Sequence, residues 1–221
     1  TEEGEGTVVE FVARDVPPTG IRAYRVVESP VGHAAPAGCT SQERALETEH
    51  FRVEWDAATG DLTRIWDKHA GRDVLSAPGN VIIAAHERNP DMEGNIYLTG
   101  EQATSSEYRL LGAETSQDAL GCRLRVRSTF LDCTLVREVA IYDFTARIDF
   151  VTTIEDFEGG DVMIKASFPL ALAWERAHAT CETPFAATPK LDGHFAAQTW
   201  ADCSDGEFGV ALLNCGTPGY W

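Results

Sequence analysis

Residues 86–97 read His86-Glu87-Arg88-Asn89-Pro90-Asp91-Met92-Glu93-Gly94-Asn95-Ile96-Tyr97, a stretch rich in side chains suited to holding polyols. Arg88, Asp91, Glu93 and Asn95 supply a guanidinium fork, two carboxylates and an amide, groups that engage neighbouring hydroxyls in pairs. Tyr97 adds a ring against which the apolar face of a sugar could rest. Asn89-Pro90 and Gly94 mark the segment as an irregular connection. These groups are therefore expected at the rim of a cleft. The plainer alternative is a solvated loop with a local Arg–carboxylate pair.

Other chemistry finds less support. Glu155 and Asp156 are adjacent at an expected strand end, where successive side chains point to opposite faces, so they make a poor acid–base pair. His33, His50, His69, His86, His178 and His194 show none of the local spacings that bind metal. Neither a Gly-x-Ser-x-Gly elbow nor a phosphate-binding loop occurs. The six cysteines form no Cys-x-x-Cys pair. Cys122 falls in the apolar phase of a strand, which suits a buried free thiol and, with it, a reducing, cytoplasmic setting. A net charge of -17 repels phosphate backbones, so nucleic acid is not expected as a partner. No apolar run is long enough to cross a bilayer.

The elements that must position these groups are strands. Cys122, Leu124, Val126, Ser128 and Phe130 alternate with Arg123, Arg125, Arg127 and Thr129, which gives a sheet one apolar and one basic face. The same period of two runs through Phe51-Val53-Trp55, through Ile148-Phe150-Thr152-Ile154, through Val162-Ile164-Ala166-Phe168 and through Val210-Leu212. Asp56–Asp61, Asp67–Arg72, Glu158–Asp161 and Ser204–Glu207 carry the turn residues that separate them. Of the tryptophans Trp55, Trp66, Trp174, Trp200 and Trp221, most are expected in packing rather than as sugar platforms. Trp55 is in phase with Phe51 and Val53, whereas the face of Trp200 reads as open. No long amphipathic helix is evident, and the expected class is an all-β antiparallel sandwich. Residues 1–28 read as the end of a small β segment, with strands at 7–13 and 21–27. Residues 29–45 read as a linker or surface loop, and 46–221 as the sandwich.

Several segments together resemble the C-terminal half of glycoside hydrolase family 38, the α-mannosidases. They are Asp15–Tyr24, then Leu46–Val53 with Thr59–Thr63 and Asp67–Leu75, then Ile148-Asp149-Phe150, Lys165–Leu170, and Trp200–Asn214. The resemblance implies a large supersandwich similar to galactose mutarotase. It also implies an upstream catalytic domain holding zinc and the carboxylates of a retaining mechanism. Zinc is thus expected in that domain and not in this segment, for which no catalytic or metal residue is expected. The chain stops at Trp221 where the family continues, and so reads as part of a longer enzyme.

On this reading the segment buttresses the catalytic domain, with possible homo-oligomerisation. Its cleft candidates are Arg88, Asp91, Glu93, Asn95 and Tyr97, and its partner an α-mannoside-like carbohydrate bound by the full-length enzyme. The family's tryptophan-bearing segment is replaced here by His86–Ile96. Two alternatives stand beside this one. One is a stand-alone carbohydrate-binding module. The other is a mutarotase or epimerase using a carboxylate and a histidine, for which His86 and Glu155 are the candidates.

Overall fold

The structure is a computed structural model of the chain and describes residues 11–27, 39–88, 97–118, 120–184, 186–190, 195–216 and 219–220. These residues contain eighteen strands, a 3-10 turn at Ser105–Glu107 and no α-helix. In chain order, β1 (Thr40–Gln42), β2 (Ala45–Glu47), β3 (Phe51–Trp55), β4 (Leu62–Asp67) and β5 (Arg72–Asp73) form a five-stranded sheet. Next come β6 (Val81–Arg88) and β7 (Tyr97–Thr104). β8 (Leu110–Gln117), β9 (Gly121–Phe130), β10 (Cys133–Tyr142) and β11 (Ile148–Glu155) make a four-stranded sheet. β12 (Val162–Ser167) returns to pair with β6 and completes a three-stranded sheet with β7. The remainder is β13 (His178–Thr183), β14 (Ala186–Lys190), β15 (Phe195–Ala196), β16 (Trp200–Ser204), β17 (Gly209–Leu213) and β18 (Gly219–Tyr220). β14-β13-β16-β17 form a sheet and β15-β18 a short ladder. All the strand pairs are antiparallel.

The alternation read along 122–130 is realised. Cys122, Leu124, Val126, Ser128 and Phe130 are all buried, while Arg125 and Arg127 are exposed. On β10, Leu135, Arg137, Val139 and Ile141 share that inner face. One half of this surface packs on the first sheet, through Leu46, Val53, Leu62 and Ile65. The other half packs on the third, where Phe130 and Leu135 meet Ile82 and Ala84. The β8–β11 sheet thus faces both neighbours and contributes to both cores. On its outer face Arg125 pairs with Glu138 and Arg127 with Glu155.

Turn chemistry follows the sequence closely. In the β3–β4 connection Asp56 Oδ1 accepts from the backbone N–H of Ala58 and Thr59, and Gly60 takes φ 73. Between β4 and β5, Asp67 Oδ1 accepts from His69 and Ala70, and Gly71 takes φ 64.

Several readings are corrected. Cys122 is not a free thiol: it is joined to Cys39 by a disulfide, because the residue preceding β1 lies against the start of β9. Gln117 Nε2 donates to Cys39 O at 2.7 Å and Ser41 Oγ to Thr115 Oγ1 at 2.8 Å, fixing β1 beside β8. The first sheet begins at Thr40, inside the stretch read as a linker. Residues 11–27, the described part of the first expected strand pair, form no ladder. They fold back instead on a Pro17–Gly20 turn, with Tyr24 OH donating to Arg14 O and its ring 4.9 Å from Phe11. On β17, Leu212 and Leu213 are exposed despite the alternation, whereas Val210 packs against the first core.

Candidate functional site

The expected polyol-binding segment is the connection between β6 and β7. Arg88 closes β6, Tyr97 opens β7, and the two are direct cross-strand partners. Both are solvent-facing, with Tyr97 47% exposed. Asp91, Glu93 and Asn95 lie outside the described residues, so the structure brings together only the two ends of the predicted set. A register shift between Ala85 and Glu87 alters the twist just before this mouth. From the other side, Glu87 N donates to Asp161 O at 2.7 Å, which anchors the β6 end to the turn before β12. Arg88 and Tyr97 therefore stand on a braced hairpin, a guanidinium and a phenol side by side at one edge of the sandwich.

Of the acid–histidine pair of the mutarotase alternative, His86 lies in β6 and Glu155 in β11, strands of different sheets. Glu155 ends β11 and pairs with Arg127 at 3.2 Å, and no hydrogen bond described joins it to His86. Asp156 turns away at φ 60. Two adjoining shallow clefts, of about 290 and 440 Å³, lie on the outer face of the first sheet and share Glu54 and Thr63. Their charged groups already answer one another: Arg52 with Glu54 at 2.6 Å, and Arg64 with Asp73 at 2.5 Å. Glu47 extends this ladder; its carboxyl is held below the usual range by the Lys68 hydrogen bond and by Arg52, against the opposing effect of burial.

Several polar constellations escape a reading by sequence spacing because their members come from separate turns. Arg137, 1% exposed, donates through Nη1 to Asp61 Oδ1 at 2.6 Å and to Asn80 O at 2.8 Å, and through Nη2 to Thr59 O at 2.7 Å. Ser106 Oγ donates to the other Asp61 oxygen. His50 Nδ1 and His69 Nε2 are 2.9 Å apart across two turns of the first sheet. Close by, burial pushes the Asp143 carboxyl up, helped by repulsion from Glu49 and opposed by His50. Tyr142 OH and Arg147 both donate to Asp149 at 2.7 Å. Burial raises the Tyr142 phenol, and the Asp149 hydrogen bond adds to this.

Asp205 is the most committed carboxylate, accepting from the backbone N–H of Ala173, Glu207 and Phe208. Those bonds lower its carboxyl to about 2. The Asp-Gly turn that holds it was visible in the sequence; its reach to Ala173 was not. Among the described residues no three His, Cys, Asp or Glu side chains are placed to hold a metal ion, so the described part of the chain does not fit a zinc centre. No described helix is long and apolar enough to cross a membrane.

The family model for the glycosyl hydrolases family 38 C-terminal domain matches residues 46–220. No curated protein matches the sequence. Among solved structures, an alpha-mannosidase from Enterococcus faecalis V583 is similar, with a TM-score of 0.68 at 15% identity. That match covers 85% of this chain and 25% of the other. A glycosyl hydrolase family 38 protein from Enterococcus faecalis gives a TM-score of 0.70 at 15% identity, covering 85% of this chain and 26% of that one. At this identity the likeness is one of fold. The chain spans about a quarter of the length of the structures it matches.

Proposed function

The chain belongs to the glycosyl hydrolase family 38 C-terminal domains, and from that premise we propose that it is the non-catalytic β-sandwich of an α-mannosidase-like glycoside hydrolase. Its work is to buttress a catalytic domain carried elsewhere in a longer protein and to lend the β6–β7 hairpin to the rim of the sugar cleft. The observation that carries this reading is the family match over almost the whole sandwich, together with the quarter share of the similar structures. The commitments of the acids also support it. Glycoside hydrolysis takes two carboxyl groups facing each other across an open cleft. Here Glu54, Asp61, Asp73, Glu138 and Glu155 are each held by an arginine. Zinc and the catalytic carboxylates belong, on this reading, to the catalytic domain. The partner is a neutral α-mannoside-like carbohydrate; nucleic acid is disfavoured by the net charge of -17.

The test compares hydrolysis of an aryl α-mannoside by the longer protein and by residues 1–221 alone. The longer protein should turn the substrate over in a chelator-sensitive way and the segment should not. Arg88→Ala and Tyr97→Ala in the longer protein should raise KM more than they lower kcat. Metal-dependent hydrolysis by residues 1–221 alone would sink the proposal.

A further inference from the structure

Trp174 is 59% exposed, whereas Trp55 is buried and Trp66 and Trp200 are half-buried. It occupies the connection between β12 and β13, in a turn closed by Arg176 N donating to Ala173 O at 2.9 Å. The approach to that turn is pinned from three directions. Ala171 N donates to Val74 O at 2.8 Å, Arg72 Nη2 donates to Ala171 O at 2.6 Å, and Ala173 N donates to Asp205 Oδ2 at 2.9 Å. Asp205 sits in the β16–β17 turn, so one carboxylate ties the two turns together. Across that tie Arg176 Nη1 donates to Glu207 Oε1 at 3.1 Å, with both side chains largely in solvent. An indole, a guanidinium and a carboxylate are thereby presented on two turns whose backbones are fastened to each other.

A large apolar ring held in water is unfavourable, and a loosely tethered turn would fold it back onto the protein. Here the hydrogen bonds hold the turn in place. The two residues that follow it in the chain, and the one that pairs with Arg176 from the other turn, are charged: Glu175, Arg176 and Glu207. A protein partner would have to strip water from the Glu175 and Glu207 carboxylates to bury the ring, and interfaces are depleted in glutamate. A phosphorylated ligand meets a chain of net charge -17. A neutral sugar has neither difficulty. One face of a pyranose ring is a flat array of C–H groups that matches an indole, and its edge hydroxyls both donate and accept.

We propose that Trp174, Arg176 and Glu207 form a carbohydrate-binding platform at the far end of the loop from β12, separate from the β6–β7 hairpin. The indole carries the apolar face of a sugar ring, Arg176 donates to its hydroxyl oxygens, and Glu207 accepts from its hydroxyl groups. Because the turns are fastened before the ligand arrives, little ordering cost accompanies binding. The proposal rests on the carbohydrate reading given above, but it requires no catalysis by the segment.

The test is a titration of the 221-residue chain with α-linked mannobiose and, in parallel, cellobiose, following the indole N–H signals by ¹⁵N–¹H NMR. The Trp174 indole should shift selectively with at least one of the two, with a Kd of about 1 mM. Trp174→Ala should weaken binding more than about tenfold, and Glu207→Gln by a smaller factor, with unchanged far-UV circular dichroism. No shift at Trp174 with either sugar up to about 50 mM, or undiminished binding by Trp174→Ala, overturns the platform. Concentration-dependent self-association that Trp174→Ala abolishes also overturns it, and assigns the ring to a protein contact. Loss of the platform leaves the hydrolysis assay of the longer protein unaffected, so the two readings fail separately.

Discussion

An arginine in the middle of an apolar sheet face is tolerable only when the charges and dipoles around it answer its own. Arg137 takes the place a leucine would occupy between Leu135 and Val139, and Asp61, Asn80 O and Thr59 O surround its guanidinium. Breaking such a pair from one side strands a charge in the interior. Arg137→Met should cost about 3–5 kcal/mol in urea unfolding, whereas Arg137→Met combined with Asp61→Leu should recover much of that loss. Absence of coupling in that cycle would show the pair to be energetically idle. Asp205 predicts a pH effect of definite sign. Its folded carboxyl lies at about 2, below the ordinary value of 3.8, because three backbone N–H groups bond to the charged form. Its contribution is complete above about pH 4 and disappears as the pH falls towards 2. Between pH 6 and pH 2, Tm should fall more steeply in the parent than in Asp205→Asn, which starts from a lower Tm at pH 6.

At the scale of elements, the β3–β4 turn shows how close packing dictates a residue type. Gly60 has φ 73, and a Cβ placed there would lie 2.3 Å from Val126 Cγ1. Gly60→Ala should therefore destabilise by about 3 kcal/mol, combining left-handed strain with overpacking of the core. A Tm unchanged by that substitution would mean the turn repacks freely. This turn was legible in the sequence because Asp56, Thr59 and Gly60 carry local chemistry. β9 was legible for a similar reason: its long alternation can bury only one face. β17 was legible only in part: Val210 packs against the first core, whereas Leu212, the next residue in the alternation, is exposed. Arg88 and Tyr97 lie in β6 and β7, and the segment between them that was expected to carry the remaining cleft candidates lies outside the described residues. The Asp205 and Arg137 nodes were not foreseeable, because their partners lie 32 and 76 residues away. Local patterning predicts what a residue does to its own turn, and it is silent on which distant turn the residue will fasten.

At the scale of the molecule, the Cys39–Cys122 bond ties the strand that opens the first sheet to the centre of the second across a separation of 83 residues. Closing a loop of that length restricts the unfolded chain by about 4–5 kcal/mol on the chain-entropy estimate. Reduction, or Cys39→Ser with Cys122→Ser, should lower the urea midpoint correspondingly, and an unaltered midpoint would count against the bond. The expectation of a reducing compartment rested on Cys122 as a free thiol, and that premise does not hold. β9 and β10 carry a further consequence. Each runs its first half under one core and its second half under the other. Neither core has a seam along which it could detach, because detaching either would unzip a ladder the other needs. Amide protons in the middle of these two strands can meet bulk deuterium only when both cores open at once. The two cores that β9 and β10 join are accordingly a single cooperative unit, and a defect placed at Phe130 should be felt as faster exchange beneath Val53.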